Sequence, residues 1–392
     1  MSKFKILSNE YGSFRTEIQE FFKRRLKKPS VILDPMAGTA PLIPFFETHG
    51  HTAYLNDIMP IHFFINKAKT YEVFQHYHRQ GFNWYVEQLL HCMNSLEKKV
   101  SIISDKWIDD SILSGLIQAW HAAEKYDENS ATLLKATILL CVRPYSSITK
   151  SKNPTWLKYG GISSNKDLKE IIIDSLTRYD QYYKHYYGSA HITKKGECIF
   201  TTLDAVELDL PQKVDFILTS PWYCNRIDPI VLYGPENHFL SALGYTFPEH
   251  NLVSTPKVRD YNELASDFER LTARSKYAQD FLTKIKDSNI PDDPGYYLKY
   301  YTRYFATLYK VMDMVSSHLS TKGKMYIILQ DNIHRGELIE IDRVLSELFK
   351  VNRWKSRVVK TWERPHHGLR NISRNHAFVK PKHFEKILLL RR

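Results

Sequence analysis

Residues 30–57 read SVILDPMAGTAPLIPFFETHGHTAYLND and decide the fold. The apolar run Val31–Leu33 is typical of a buried strand, and it stops at Asp34-Pro35 because proline cannot continue a ladder of backbone hydrogen bonds. A turn of small residues follows, and then a helical pattern that ends at Gly50, a suitable helix C-cap. A second strand ends in Asp57. Strand, glycine-containing turn, helix and strand together predict a βαβ unit of the nucleotide-binding kind.

The rest of the chain extends this pattern. Helical spacing dominates residues 60–198, where strand signals are nearly absent. Strand patterns return at 198–202 and 214–218, and the stretch from 224 to 259 looks irregular. A helix is predicted at 336–349, and a last apolar strand, antiparallel in a hairpin, is predicted near 384–390. The sequence therefore predicts an α/β fold, a doubly wound Rossmann-like sheet with a mostly helical insertion.

Composition excludes several classes of protein. The chain has 392 residues, 43% of them hydrophobic, which is too apolar for wholesale disorder. No apolar run reaches the roughly 18 residues needed to cross a bilayer, so no membrane partner is expected. The N-terminus lacks a secretory pattern, and the four cysteines lack metal-binding spacing. We therefore expect reduced thiols and a cytoplasmic protein.

The turn after the first strand is the first candidate binding site. Small residues there let a ligand approach the backbone closely, and Asp57 at the next strand end is placed to accept hydrogen bonds from ribose hydroxyls. The phosphate-binding patterns GxGxxG and GxxxxGK[ST] are absent. A nucleoside ligand without phosphate fits better than NAD or ATP. An ordinary βα turn with an exposed aspartate remains the alternative.

A second candidate follows the strand at 214–218. The tetrapeptide Ser220-Pro221-Trp222-Tyr223 brings a hydroxyl, a carbonyl fixed by proline and aromatic rings to a strand end. Open α/β sheets bind their ligands at the carboxyl ends of strands. The alternative is a plain strand that ends at proline and carries a surface aromatic pair.

Together these features resemble the amino-group DNA methyltransferases, which use S-adenosylmethionine. Asp34–Ala40 is similar to their motif Asp-Pro-Phe-Ala-Gly-Ser-Gly, and Ser220–Tyr223 to their catalytic motif (Asp/Asn/Ser)-Pro-Pro-(Tyr/Phe/Trp). Tyr11–Phe14 looks like the aromatic motif that lines the methionine end of the cofactor. The resemblance implies cofactor-binding roles for Phe14, Asp34, Pro35, Met36, Ala37, Gly38, Thr39, Asp57, Ile58, Asp204 and Ala205.

The resemblance also implies a reaction. Ser220, Pro221, Trp222 and Tyr223 would hold a base flipped out of the duplex, and its exocyclic amine would receive the methyl group. The continuation Cys224–Asp228 resembles a branch that mostly makes N4-methylcytosine, so cytosine N4 is favoured over adenine N6. Trp222 in place of the second proline and Ala40 in place of a glycine depart from the family pattern.

Other functions remain open. An RNA amino-methyltransferase is one alternative, and an inactive, cofactor-binding nucleic-acid-binding subunit is another. The predicted catalytic domain comprises residues 1–59, 199–228 and 295–392, which contain the motifs of the resemblance. The resemblance does not cover the rest: the helical pattern predicts a helical insertion at 60–198, and 229–294 is predicted to be a second insertion. The second insertion is a candidate for target recognition.

Positive charge is concentrated at one end. The chain carries 55 Lys+Arg against 43 Asp+Glu, a net charge of +12. Residues 350–392 contain 13 Lys+Arg and two acids, a net charge of +11, which leaves +1 for the rest. The charge predicts a polyanionic partner, and the resemblance implies that this partner is double-stranded DNA, whose phosphates the basic end would bind. The candidate DNA-binding residues are Arg226, Arg364, Arg370 and Arg374.

The remaining expectations concern metal and cellular context. His366, His367, His376 and His383 lack paired acids or cysteines, so no metal site is predicted. A restriction-modification enzyme of a bacterial or archaeal cytoplasm is expected, and a cognate restriction endonuclease is then a candidate partner.

Overall fold

The chain forms an α/β fold built on a mixed sheet. The computed structural model describes residues 6, 16–96, 107–146, 148–149, 158–159, 167–188, 192–224, 229–246, 253, 261–290, 292–335, 337–364 and 382–392. In chain order the strands are β1 (Val31–Asp34), β2 (Thr52–Asn56), β3 (Ile148–Thr149), β4 (Lys158–Tyr159), β5 (Glu197–Thr201), β6 (Val214–Thr219), β7 (Leu319–Gln330), β8 (Asn332–His334), β9 (Glu337–Ile339), β10 (Lys355–Arg364) and β11 (His383–Arg391).

Seven of these strands form the main sheet, in the order β10-β11-β7-β6-β1-β2-β5. The pairs β1·β6, β6·β7 and β2·β5 are parallel, whereas β11 runs antiparallel to both of its neighbours, β7 and β10. Strands β3·β4 and β8·β9 form two small antiparallel pairs. The predicted α/β class is therefore confirmed, together with the antiparallel last strand.

Helices fill most of the remaining described chain. They are α1 (Thr16–Lys23), α2 (Ile43–His49), α3 (Pro60–Lys67), α4 (Tyr71–Gln80), α5 (Phe82–Cys92), α6 (Asp110–Ala123), α7 (Glu128–Val142), α8 (Leu168–Tyr187), α9 (Pro229–Leu232), α10 (Gly234–Ala242), α11 (Tyr261–Arg274), α12 (Lys276–Lys286), α13 (Leu298–Ser316) and α14 (Ile341–Val351).

Local sequence explains where several helices begin and end. Gly50 ends α2 in the left-handed conformation, at φ 79°, and its N–H donates to the Phe46 carbonyl. Asp109 and Asp127 cap α6 and α7 by accepting backbone N–H groups of the first turn. Asp167 and Glu170 form a capping box at the start of α8.

Burial agrees with the sheet order. Ile32 and Leu33 of β1 are fully buried in succession, as expected for a strand covered on both faces. The run Ile387–Leu390 of β11 is likewise buried throughout, which suits its internal position between β7 and β10.

The chain divides into two compact units. The first unit comprises Met1–Pro29, Ala37–Thr202 and Ile230–Phe247, and it contains β2, β5 and the helices α1–α8 and α10. The second unit comprises Ser30–Met36, Leu203–Pro229 and Pro248–Arg392, and it contains the other main strands. The predicted domain boundaries stay a prediction.

Two segments differ from the sequence-based expectation. Residues 234–242, expected to be irregular, form α10, a helix of nine residues with a proline in its first turn. The single helix expected over 336–349 begins only at Ile341, since Glu337–Ile339 pairs with β8 as a strand. In the described ranges no helix is long and apolar enough to cross a membrane.

Candidate functional site

The small-residue turn after β1 is held by the backbone of the first unit. The N–H of Ala37 donates to the carbonyl of Asn56, at the end of β2, at 2.8 Å. Gly38 adopts φ +51°, and its N–H donates to Oδ2 of Asp57 at 2.8 Å. The turn and the strand-end acid that the sequence singled out therefore touch each other.

Asp57 itself is almost completely buried and has a fixed orientation. Its Oδ1 accepts the N–H of Met59 at 2.9 Å, while Oδ2 accepts the N–H of Gly38. Each carboxylate oxygen has two lone pairs, so each retains capacity for a further donor such as a ribose hydroxyl. Ile58, the next predicted cofactor residue, is half-buried beside it.

Two further side chains, which were not among the residues predicted from the sequence, hold this turn. Asn66 donates from Nδ2 to the Gly38 carbonyl at 2.7 Å, and the buried Lys69 donates from Nζ to the Thr39 carbonyl at 2.5 Å. Their spacing of three residues puts them on one side of the chain as α3 ends. No pattern in the sequence distinguishes this pair from any other polar pair of a helix.

Space is open over Gly38. A Cβ built on this glycine would meet no atom within 4 Å. A side chain there would therefore not clash with the protein, although its positive φ would strain it. Room next to a strand-end turn is what a ligand needs to approach the backbone.

His62 is an unexpected buried polar group near Asp57. It is 2% exposed, and neither ring nitrogen has a hydrogen-bond partner among the described residues. Burial lowers the pKa of His62, whereas the charge of Asp57 acts in the opposite direction. The ring packs edge-on against Tyr233, with centroids 5.3 Å apart. A neutral imidazole is the form that this environment favours.

The second unit contains the remaining described residues of the predicted site. Asp34 ends β1 and Ser220 follows β6, and because β1 and β6 are parallel neighbours, both residues lie at the same edge of the sheet. From β1 the strand order continues to β2 and β5 on one side and to β6 and β7 on the other. Asp34 and Ser220 therefore flank the topological switch point, where open α/β sheets bind ligands.

Side chains from α13 and β8 hold the backbone after Ser220-Pro221, and a side chain from β11 holds the Tyr223 hydroxyl. Tyr304 of α13 donates its hydroxyl to the Trp222 carbonyl at 2.8 Å, and Asn332 of β8 donates to the Cys224 carbonyl. The Tyr223 hydroxyl donates to Oε1 of Glu385, on β11, at 2.6 Å. Burial raises the pKa of Tyr304 well above its ordinary value, so it remains a donor. These contacts restrain the backbone where the family pattern would have a second proline.

The side chains of the tetrapeptide differ in burial. Pro221 is buried, whereas Ser220, Trp222 and Tyr223 are half-buried. The Ser220 hydroxyl makes no hydrogen bond within the part of the chain that the structure describes. It is therefore able to accept or donate to a bound group.

Asp204 is the remaining described acid of the predicted cofactor set. It begins a short 3-10 turn, Ala205–Glu207, and its Oδ1 accepts the N–H of Val206 at 3.1 Å. Ala205 is buried. Pro35 is buried as well, and Met36 donates its N–H to Oδ1 of Asp34 at 3.2 Å.

Several predicted residues lie outside the described part of the chain. They are Phe14, Arg226, Arg370 and Arg374, together with His366, His367 and His376. Arg364 is the last residue of β10, where it pairs with His383 of β11. Among the residues that are described, no three His, Cys, Asp or Glu side chains are grouped so as to hold a metal ion.

Comparisons with family models and with curated proteins find no relative of this chain. No family model matches the chain, and no curated protein matches it.

Proposed function

We propose that this protein is an S-adenosylmethionine-dependent DNA methyltransferase of the amino group, acting on cytosine N4 in preference to adenine N6. The observation that carries the proposal lies in the second unit and concerns the first residue of each of two sequence motifs. Asp34 of the cofactor-like motif ends β1, and Ser220 of the catalytic-like motif follows β6, the parallel neighbour of β1, at the topological switch point.

The first unit supports binding of a nucleoside. The Asp57 carboxylate is held by two backbone N–H groups, and its oxygens keep lone pairs that are able to accept further hydrogen bonds. The space next to Gly38 is open. These residues fit the ribose side of the cofactor, which carries hydroxyl groups and no phosphate. In the second unit, Asp204 would bind the adenine amine. The cofactor would supply an electrophilic methyl group on a sulfonium.

The chemistry required of the protein is modest. An exocyclic amine is a weak nucleophile, because its lone pair is delocalised into the ring. The Ser220 hydroxyl oxygen and the Pro221 carbonyl would accept its two hydrogens and favour a pyramidal nitrogen. The cofactor would supply the methyl group: a new N–C bond would form at the amine nitrogen, the C–S bond would break with its electrons left on sulfur, and one amine proton would be lost to solvent. Tyr223 would stack on the flipped base.

The direct test uses cofactor with a labelled methyl group. The full chain is incubated with plasmid DNA and separately with RNA, and the nucleosides are then analysed. We expect label in N4-methylcytosine from DNA. Label in N6-methyladenine would show that the target is adenine N6 and not cytosine N4. Label only in RNA would refute the proposal of a DNA methyltransferase. Cofactor binding without transfer to either would identify an inactive nucleic-acid-binding subunit.

The variant Ser220→Ala tests the catalytic assignment. Removing one positioned hydrogen-bonding group from a reacting centre typically costs about 100-fold in rate. We expect that loss in methyl transfer, with cofactor affinity unchanged in a calorimetric titration. The matched control is Ser317→Ala, which removes an exposed hydroxyl at the C-cap of α13. Full transfer by Ser220→Ala would remove Ser220 from the mechanism.

A further inference from the structure

We infer that Glu385 is a positioning residue that fixes the ring of Tyr223 before the target base arrives. The inference rests on the proposed function, since it assigns Tyr223 to base stacking. Glu385 lies in no motif that the sequence analysis used, and 162 residues separate it from Tyr223.

The contact is short and shielded from water. Oε1 of Glu385 accepts the Tyr223 hydroxyl at 2.6 Å, and Glu385 is 0% exposed. Hydrogen bonds are stronger where water is excluded from them. The hydroxyl end of the half-buried Tyr223 is therefore anchored.

The sheet explains why the carboxylate itself is rigid. Glu385 is on β11, which is hydrogen-bonded on both sides, opposite Gln330 of β7 and Trp362 of β10. The next residue, Lys386, points to the other face of the sheet, as side chains of a strand alternate. There it forms ion pairs with Asp331, Glu340 and Asp342. Side chains on both faces of β11 are therefore held at this position, by a hydrogen bond on one face and by ion pairs on the other.

A buried glutamate is costly unless it is hydrogen-bonded, so a purely structural position would favour an apolar residue. Here the carboxyl group orients the ring of Tyr223, two residues after Pro221. Tyr304 fixes the carbonyl of Trp222, the residue between them. An orientation preset in this way lowers the cost of ordering the base for attack, because a misplacement of about 1 Å can cost about 100-fold in rate.

The test compares Glu385→Leu, Glu385→Gln and Tyr223→Phe in the full chain. Glu385→Leu removes the acceptor, and we expect kcat for methyl transfer to fall about 10- to 100-fold, with the Kd values for cofactor and DNA within about twofold. Glu385→Gln retains an acceptor and should stay within a few fold of wild type. Tyr223→Phe keeps the ring and loses the hydroxyl, so the double variant with Glu385→Leu should be no slower than either single variant.

A second measurement does not depend on turnover. With 3-fluorotyrosine at position 223, the 19F line should be narrower in Glu385→Leu than in the wild-type chain, because the freed ring gains fast motion. The control is Glu269→Leu, which replaces an exposed glutamate of α11 and should leave line width and kcat unchanged.

The two readouts separate the two proposals. Absence of methyl transfer in the wild-type chain, with a narrowed line in Glu385→Leu, would refute the enzyme and retain the anchoring of Tyr223. An unchanged line, or a kcat that Glu385→Leu does not alter, would overturn the positioning role. A fall in cofactor and DNA affinity together with kcat would also overturn it, since that outcome marks a general structural defect.

Discussion

At the scale of single residues, the turn after β1 contains a conformation that its sequence does not favour. Ala40 has φ +36°, in the region where the Cβ of an L-residue is crowded. The resembling family has glycine at this position, and glycine adopts positive φ without strain. Alanine at position 40, which departs from the family pattern, therefore also strains the backbone.

The variant Ala40→Gly should stabilise the protein. Relief of left-handed strain contributes about 1–2 kcal/mol, and the greater freedom of the unfolded chain offsets about 0.4–1 kcal/mol of it. We expect the free energy of unfolding, measured by chemical denaturation, to rise by about 0.5–1 kcal/mol.

The control lies in the same turn. Ala37 does not have a positive φ, so Ala37→Gly should only gain freedom in the unfolded chain and lower the free energy of unfolding. The same sign of change in Ala40→Gly and Ala37→Gly would contradict the strain at Ala40.

At the scale of elements, Glu47 of α2 connects two other helices of the first unit. Its Oε2 accepts the N–H of Tyr71, at the start of α4, at 3.0 Å and the hydroxyl of Tyr187, at the end of α8, at 2.7 Å. Oε1 has no hydrogen-bond partner among the described residues. Burial raises the pKa of Glu47 from 4.5 to about 7, although the Tyr187 hydroxyl acts to lower it.

This raised pKa predicts a pH dependence of stability. Since the folded chain binds the Glu47 proton more tightly than the unfolded chain, the free energy of unfolding falls as pH rises from about 4.5 to 7. The contribution is on the order of 3 kcal/mol. Glu47→Gln retains an acceptor without ionising, so it should be more stable than wild type above pH 7 and lack this part of the slope.

Denaturant unfolding between pH 4.5 and 8 measures this difference. The exposed Glu128→Gln variant, on α7, is the control and should follow the wild-type profile. If the free energy of unfolding of Glu47→Gln and of the wild type changes with pH in the same way, the pKa of Glu47 does not differ between the folded and the unfolded chain.

At the scale of the whole molecule, positive charge is strongly asymmetric. Residues 350–392 carry a net charge of +11 out of a total of +12. Arg364, Arg370 and Arg374, three of the four arginines that we predict to bind DNA, belong to this end of the chain. A cluster of this kind acts on a polyanion through release of counterions, which makes affinity depend steeply on salt.

Neutralising three arginines tests this location. Replacing Arg364, Arg370 and Arg374 with glutamine should weaken DNA binding and reduce the slope of log K against log salt by about 3. Cofactor affinity should be unchanged. Fluorescence anisotropy with a labelled duplex at several salt concentrations gives the slope.

The control neutralises exposed cations elsewhere. Replacing Arg79, Lys125 and Lys169 with glutamine removes the same charge from the nearly neutral part of the chain. If this control flattens the slope as much as the first variant, DNA binding is not localised at the basic end.

The sequence by itself determined the strand ends and the residue types at them. Apolar runs that stop at Asp34, Asp57 and Ser220 identified the edge of the sheet that carries the candidate chemistry, because strands are local and their ends have local signals. The class of fold follows from the same runs.

Only the tertiary structure decided which side chains meet there. The anchoring of Tyr223 by Glu385 and the support of the Gly38 turn by Asn66 depend on strand order and on how α3 packs. Contacts between residues far apart in the chain arise from register and packing, which leave no local pattern in a single sequence. For that reason the residues that hold the candidate site, unlike those that form it, became visible only in the folded chain.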